Sequence, residues 1–303
     1  MEMKLVTDGL LFPEGPVIMP DGSILLVEIA RGTVSRVWPD GKITIVANLG
    51  GGPNGIAIGP DGAAYICNNG GLEFHRDGAL LYAGHKSHDY VTGSIQRLDL
   101  DSGTVTTLYT QCDGAPLNGP NDIVFDAVGG FWFTDLGKSD NRGRDQGAVY
   151  YAKPDGSHIV QWRTNIPTPN GIGLSPDGSV VYVADSLCGR LWAIDLEAPG
   201  IAKPADDPWM AGRVICTLPG FQILDSLAVE ANGCVCVGTI VNGGITAFYP
   251  DGSTEFYAVP DRLVTNIVFG GADMRDAWIT ASSTGALYRC RWPRPGLKLN
   301  YNL

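Results

Sequence analysis

One pattern occurs six times in this chain: a polar residue, a short apolar run, a turn and a second apolar run. The polar residue that begins each copy, called the head below, carries a side-chain oxygen every time. The six heads are Glu14, Asn54, Asn121, Asn170, Asp225 and Asn266. In the first five copies a Gly stands eight positions after the head, where it supplies the positive φ that a tight hairpin turn requires. The pattern therefore predicts a β-hairpin in each copy.

A second turn follows in three of the copies, and each time it reads Pro-Asp-Gly. These turns are Pro39–Gly41, Pro154–Gly156 and Pro250–Gly252. Successive heads are 40, 67, 49, 55 and 41 residues apart, and the shortest spacings match a four-stranded propeller blade of about 40 to 45 residues. We therefore expect an all-β, six-bladed β-propeller with four antiparallel strands per blade, as one domain over residues 1–303. The N-terminal strand is expected to complete the last blade.

The composition is that of a compact, acidic globular chain, with 44% hydrophobic residues and a formal net charge of −11. Because an acidic surface repels phosphate groups, no nucleic-acid partner is expected. No run of about 18 apolar residues occurs, and the first residues lack the apolar core of a secretory signal. We expect a soluble, cytoplasmic protein without a membrane partner. The seven Cys are expected to be reduced, buried thiols.

The first strand of each propeller blade lines the central channel, so the six heads are expected to form a ring at one mouth. Oxygen ligands suit a hard cation, and Ca²⁺ takes about six to eight of them. The ring lacks the His and Cys that zinc prefers. Glu14 and Asp225 would balance two positive charges, and the remaining coordination positions would accept water and substrate. The alternative is that the polar heads only satisfy backbone groups at strand ends in a wet channel.

The heads and the segments FPEGP, NGIGLSPDG, LDSLAVEANG and TNIVFGGADMRDAWIT resemble, in order along nearly the whole chain, the SMP-30/gluconolactonase/luciferin-regenerating-enzyme family. The resemblance implies a six-bladed propeller with a catalytic divalent cation, usually Ca²⁺, with Mg²⁺, Mn²⁺ and Zn²⁺ as alternatives. It also implies that Glu14, Asn170 and Asp225 bind the metal. Asn121 matches a fourth position that binds metal in some members and substrate in others.

Two further features refine the resemblance. The pair Asp225–Ser226 is similar to the drug-responsive lactonase branch, whereas sugar-lactone members can carry an Arg two residues before the Asn at 121. Gly119 occupies that position here, which favours a less polar lactone than gluconolactone. Asn54 and Asn266 do not match the usual ligand set and are expected to contact the ligands or line the site.

The expected activity is that of a carboxylic ester hydrolase that opens a small-molecule lactone. Water would attack a carbonyl polarised by the cation. Asp225 is the first choice as general base and Glu14 the second, since only these two heads can accept a proton. Two alternatives stay open: a phosphotriesterase-like hydrolase at the same site, and a non-catalytic Ca²⁺-binding propeller. The oligomeric state and the physiological lactone also stay open.

Two long loops between second and third strands, residues 72–92 and 137–146, are expected at the same mouth as the heads. Binding residues often lie on such loops above a rigid scaffold. The side chains expected to bind substrate are Asn54, Asn121, His75, Tyr90 and Arg142.

Two other groups of residues have a structural interpretation. The insertion at 197–212 lies between a third and a fourth strand, so it is expected at the opposite mouth. Asp135 and Asp185 end second strands, and they are expected either to support the ring through hydrogen bonds or to cap the strands.

Overall fold

The computed structural model describes residues 1–302, in which 29 β-strands and no helix occur. Within residues 1–302 there is accordingly no helix that could span a membrane. Most strands belong to six antiparallel sheets, one for each copy of the sequence pattern. These sheets are the blades of a six-bladed β-propeller, which confirms the predicted fold.

The first half of the chain forms β1 and the first three blades. Strand β1 is Lys4–Thr7, and blade 1 contains β2 (Pro13–Ile18), β3 (Ile24–Glu28), β4 (Thr33–Val37) and β5 (Ile43–Asn48). Blade 2 and its inserted hairpin contain β6 (Pro53–Ile58), β7 (Ala64–Asn68), β8 (Leu72–Asp77), β9 (Leu80–Lys86), β10 (Ser94–Leu98) and β11 (Val105–Tyr109). A small hairpin, β12 (Gln111–Cys112) and β13 (Ala115–Pro116), precedes blade 3, which contains β14 (Pro120–Phe125), β15 (Phe131–Asp135), β16 (Ala148–Ala152) and β17 (Ile159–Arg163).

The second half forms the other three blades. Blade 4 contains β18 (Pro169–Leu174), β19 (Val180–Asp185), β20 (Arg190–Ala198), β21 (Ile201–Ala202) and β22 (Arg213–Thr217). Blade 5 contains β23 (Ile223–Val229), β24 (Val235–Ile240), β25 (Gly244–Phe248) and β26 (Thr254–Ala258). Blade 6 contains β27 (Val264–Gly270), β28 (Asp276–Ala281) and β29 (Ala286–Arg291).

The N-terminal strand closes the ring of blades. Strand β1 pairs antiparallel with β29, with Leu5 opposite Tyr288, and so supplies the fourth strand of blade 6. The five turn glycines also behave as the pattern predicts, with φ between 69° and 90° at Gly22, Gly62, Gly129, Gly178 and Gly233. The closing strand and the hairpin turns are therefore both confirmed.

The hydrophobic core lies between the blades, not at the centre of the molecule. Six apolar clusters occupy the six interfaces between neighbouring blades. The cluster between blades 2 and 3 contains Tyr65 and Phe131, whose ring centroids are 5.9 Å apart. Each blade therefore buries both of its faces against its neighbours, and the channel along the axis stays free for other groups.

The long insertion and five of the seven cysteines lie where they were expected, but the prediction of buried thiols is wrong for Cys188, in the turn after β19, and for Cys216, on the outer strand β22. All seven cysteines are free thiols; five are buried, Cys216 is partly exposed and Cys188 is exposed. Residues 199–201 of the insertion lie beside Gly129 and Tyr301, on the side of the propeller that carries the turns after the first strands. The insertion is therefore at the opposite mouth from the heads.

Close approach between blades 2 and 3 generates the first prediction. A Cβ added to Gly55 would lie 2.5 Å from the backbone oxygen of Asn121 in the next blade. Such overpacking typically costs about 1–3 kcal/mol, so Gly55→Ala should lower the urea midpoint of unfolding. Gly143→Ala is the matched control, because its added Cβ meets no atom within 4 Å. Equal midpoints for the two variants would contradict the proposed inter-blade constraint.

Candidate metal and active site

Five of the six heads surround one cavity at a mouth of the channel. The cavity has a volume of about 390 Å³ and is lined by Glu14, Asn54, Asn121, Asn170 and Asp225, together with eleven further residues. The sixth head, Asn266, contacts the ring from the side, where its Nδ2 donates a hydrogen bond to Oε2 of Glu14 at 2.8 Å. The fold therefore assembles heads that are far apart in sequence.

A β-bulge places each head at the channel. In blade 2, Pro53 pairs with Asn68 and Ile56 pairs with Ile66, so three steps along β6 match two steps along β7. The same extra residue occurs at the start of the first strand in every other blade. Bulges redirect side chains and are common beside active sites. Here the irregularity contains the head in blades 2 to 5 and borders it in blades 1 and 6.

Three buried oxygens of the ring have no hydrogen-bond partner among residues 1–302. They are Oε1 of Glu14, Oδ1 of Asn121 and Oδ1 of Asn170. An unpaired buried polar atom costs about 1–3 kcal/mol, and a bound ion is one accepted explanation for such an atom. The donor set is made of carboxylate and amide oxygens, which fits Ca²⁺ or another hard cation.

For Asn170 and Glu14, neighbouring groups leave the oxygen free by engaging the other polar atom of the side chain. Nδ2 of Asn170 donates to Oγ of Ser186 at 3.0 Å, so the amide carbonyl is the end left over. Oε2 of Glu14 accepts from the backbone N–H of Gly15 at 2.5 Å and from Asn266. Because these contacts fix which oxygen of Asn170 and of Glu14 is free, these two side chains are oriented before any ion binds.

The ring uses amide oxygens where many metal sites use ionisable groups. Within residues 1–302, no cluster of three or more His, Cys, Asp or Glu side chains is arranged to hold a metal ion. Any cation at the ring would therefore depend on the Asn carbonyls as well as on Glu14 and Asp225. This composition disfavours zinc, which prefers nitrogen and sulfur ligands.

The two carboxylates of the ring share an unfavourable environment when no cation is bound. Burial raises the pKa of Glu14 to about 7, although hydrogen bonds from Asn266 and Gly15 oppose the shift. Burial, followed by the charge of Glu14, raises the pKa of Asp225 well above its usual range. A bound cation would favour both ionised forms, so cation and protons compete for the site.

Asp122 is a buried carboxyl that the sequence pattern did not single out. Its oxygens accept hydrogen bonds from the backbone N–H groups of Ile123 at 2.9 Å and Ile172 at 3.1 Å, which links blade 3 to blade 4. Burial and then the charge of Glu14 raise its pKa to about 8. The sequence did contain a signal for Asp122, because it occupies a position that is small in four other blades. The residue after the head in blades 1, 2, 4 and 5 is Gly15, Gly55, Gly171 and Ser226.

The hairpin β8–β9 covers the ring and is called the roof below. Its residues Leu72, Tyr82 and Ala83 line the cavity. The roof is attached to blade 6 by a hydrogen bond from the backbone N–H of Leu81 to the carbonyl of Ser283, at 2.8 Å. Further contacts join it to other blades, among them the Phe12–Phe74 ring pair at 5.3 Å. The roof therefore lies at the mouth expected for residues 72–92.

Three residues expected to bind substrate do not line this cavity. His75 is exposed on β8, and Arg142 is exposed in the loop after β15. Tyr90 is engaged elsewhere, since its hydroxyl donates to the carbonyl of Asn118 at 2.8 Å. Their role in substrate binding stays a prediction, and the lining favours Tyr82 and Arg262 as the polar residues near the ring.

Asp135 and Asp185 support the chain that leads into the heads. Asp135 accepts hydrogen bonds from the backbone N–H groups of Asn118, at 2.7 Å, and Gly119, at 2.6 Å. Asp185 accepts from Oγ1 of Thr168 at 2.7 Å. Both carboxylates therefore cap a strand end, and their recorded contacts position the segment before a head, not the head side chain itself.

The fold and the oxygen-lined mouth define a propeller of a known class. Residues 12–283 match the sequence profile described as the SMP-30/Gluconolactonase/LRE-like region. The chain therefore belongs to this family, as the resemblance in the sequence indicated.

Relatives and solved structures agree with that assignment. A gluconolactonase of Zymomonas mobilis is 24% identical over 88% of this chain and 76% of the relative. Lactonase drp35 of Staphylococcus saprophyticus is 28% identical over 79% of this chain and 67% of the relative. A structure of regucalcin from Agrobacterium tumefaciens, described as a calcium-binding protein, superimposes with a TM-score of 0.74 at 19% identity and covers 98% of both chains. At that identity the structural likeness shows the fold.

The raised pKa of Glu14 generates a prediction for chelated, cation-free protein. Between its ordinary value of 4.5 and about 7, the folded chain holds a proton on Glu14 that the unfolded chain has lost. The free energy of unfolding should therefore fall as pH rises through this window. Glu14→Gln cannot titrate and should reduce the slope, as measured by urea unfolding at several pH values, whereas Asp122 and Asp225, whose pKa values are also raised, keep part of it. An unchanged slope in this variant would refute the assignment.

Proposed function

We propose that this protein is a divalent-cation-dependent lactonase, with Ca²⁺ as the expected ion and Mg²⁺ and Mn²⁺ as alternatives that also prefer oxygen ligands. One observation carries the proposal: three buried, unpartnered oxygens belong to heads that surround a single cavity. The relatives named a gluconolactonase and a lactonase support the same reaction class. Lactone hydrolysis needs a polarised carbonyl and an activated water, and both fit an oxygen-lined cation site.

The four residues proposed to hold the cation are Glu14, Asn121, Asn170 and Asp225. Glu14, Asn121 and Asn170 contribute the free oxygens described above, and Asp225 contributes a carboxylate that lines the same cavity. The two carboxylates match the charge of a divalent ion. When bound, the cation would supply Lewis acidity, which polarises an ester carbonyl and lowers the pKa of a water molecule.

Asp225 is the residue best placed to move the proton. Glu14 is 1% exposed and its Oε2 already accepts two hydrogen bonds, whereas Asp225 is partly exposed. Asp225 would take a proton from the attacking water while the oxygen of that water bonds to the lactone carbonyl carbon. The ring C–O bond would then break, and Asp225 would return the proton to the alkoxide, which yields a hydroxy acid.

Apolar side chains of the cavity wall would support this step by keeping bulk water away from the reacting groups. Leu72, Ala83 and Leu136 lie over or beside the ring. A less polar surrounding strengthens electrostatic interactions between the site and a developing negative charge. Asn54, which also lines the cavity, offers an amide to the substrate.

Removal of the cation tests the proposed cofactor. Chelated protein should lose hydrolysis of a panel of aliphatic, aromatic and sugar lactones, and added Ca²⁺ should restore it because the ring oxygens would again be satisfied. Turnover would be followed by acid release, and Ca²⁺ binding by the rise in melting temperature. Phosphotriester hydrolysis without lactone hydrolysis would support the phosphotriesterase alternative. Ca²⁺ binding without turnover of either class would support a non-catalytic propeller.

Substitution of the proposed base tests its role. Asp225→Asn should lower kcat for the best lactone by about 10²–10⁴-fold, the range typical of lost general-base catalysis. Asp195→Asn is the control, because Asp195 is a surface residue whose recorded ion pair is with Arg213, at 2.9 Å. Ca²⁺-induced stabilisation should be measured on both variants to separate lost chemistry from lost binding. Full activity of Asp225→Asn would exclude it as the base.

A further inference from the structure

The wall of the ring cavity beyond the heads is almost entirely apolar. Eleven residues other than heads line it, and nine of these are apolar: Phe12, Ile29, Leu72, Ala83, Leu136, Ile223, Ile240, Val241 and Leu263. On binding, a polyhydroxylated sugar lactone would lose the hydrogen bonds that its hydroxyls make with water. This wall offers few polar groups that could form hydrogen bonds in their place. The lining therefore fits a lactone with an apolar body.

Arg262 is the only cationic residue that lines this cavity. It is exposed and lies two residues before β27. Its guanidinium makes no hydrogen bond or ion pair within residues 1–302, unlike the guanidinium of Arg294, which pairs with Glu230 and Glu255.

The carboxylate of Asp261, the residue before Arg262 in sequence, forms no ion pair with it. Asp261 accepts hydrogen bonds from the backbone N–H groups of Leu263, at 2.8 Å, and Thr284, at 2.9 Å, and from the hydroxyls of Ser283 and Thr284. Its two oxygens are therefore occupied by other donors. The charge of Arg262 is left available at the cavity.

The charges of the site favour a singly charged anion. Glu14, Asp225 and Arg262 are the charged side chains that line the cavity. This argument rests on the proposed divalent cation being bound. The ion then contributes two positive charges, the two carboxylates contribute two negative charges and Arg262 contributes one positive charge, so the net charge of the site is +1. A carboxylate balances that surplus, whereas a phosphate monoester carries about two negative charges. Guanidinium and carboxylate groups also match in geometry.

We propose that the substrate is a lactone with an apolar body and a carboxylate that binds Arg262. Arg262 is then a specificity-determining residue of the lactonase. Its exposure means that the interaction should weaken as ionic strength rises.

A matched pair of lactones tests the proposal on the Ca²⁺-loaded full chain. One is a γ-lactone with a pentyl side chain, and the other is the same lactone with a carboxylate at the end of that chain. The carboxylated lactone should have a kcat/KM about 10-fold higher or more, as expected for a charge-assisted hydrogen bond. Gluconolactone should be the poorest substrate of the three.

Variants then assign the preference to one residue. Arg262→Gln should abolish the preference for the carboxylated lactone, and Arg262→Lys should keep part of it because the charge remains. Arg76→Gln is the matched control: Arg76 is exposed on β8, does not line the cavity and has no recorded side-chain partner within residues 1–302. It should keep the preference of the parent protein.

The outcomes separate this proposal from the proposed function. Hydrolysis of both γ-lactones at equal rates, or a preference that survives in Arg262→Gln, would overturn the role of Arg262 and leave the lactonase standing. Preference for gluconolactone would overturn the apolar substrate class. If none of the three is hydrolysed, the lactonase proposal fails for these substrates. Calorimetric measurement of lactone binding then decides. If the carboxylated lactone binds the parent protein and Arg262→Gln with equal affinity, the carboxylate site is also refuted.

Discussion

The packing of each blade against the next one is the interaction on which the rest of the structure depends. Six apolar clusters, one at each interface, bury both faces of every sheet. Because the burial occurs between the blades, the axis of the ring carries no continuous apolar core. Strand β1 completes this arrangement by pairing with β29, so that the ring has no open edge between its first and last blades.

The ring of heads is a consequence of that closure. Six first strands meet at one mouth, and a bulge at each strand start turns a polar side chain to the channel. Glu14, Asn121 and Asn170 are left with buried oxygens that no group in residues 1–302 satisfies. Such an arrangement costs stability in the absence of a ligand, which is why a cation is the simplest physical account of the site.

The roof and the other residues that line the cavity would decide which molecules reach the ring. The roof, β8–β9, is an insertion of blade 2, yet it contacts blades 1 and 6, where Phe12 and Ser283 lie. Its residues Leu72, Tyr82 and Ala83 form part of the wall of the cavity. The same fold can serve many different reactions. The substrate must therefore be inferred from the residues that line the cavity of this chain, including Arg262.

The sequence by itself determined the number of blades, the hairpin turns, the closing strand and the identity of the heads, because these depend on local pattern and on a repeat. It also indicated the family that the comparison confirmed. Tertiary structure alone decided that Tyr82 and Arg262 line the cavity while His75, Tyr90 and Arg142 do not. It likewise revealed the bulges and the inter-blade role of Asp122. These features depend on how an insertion folds back and how neighbouring backbones approach, which no spacing along one chain specifies.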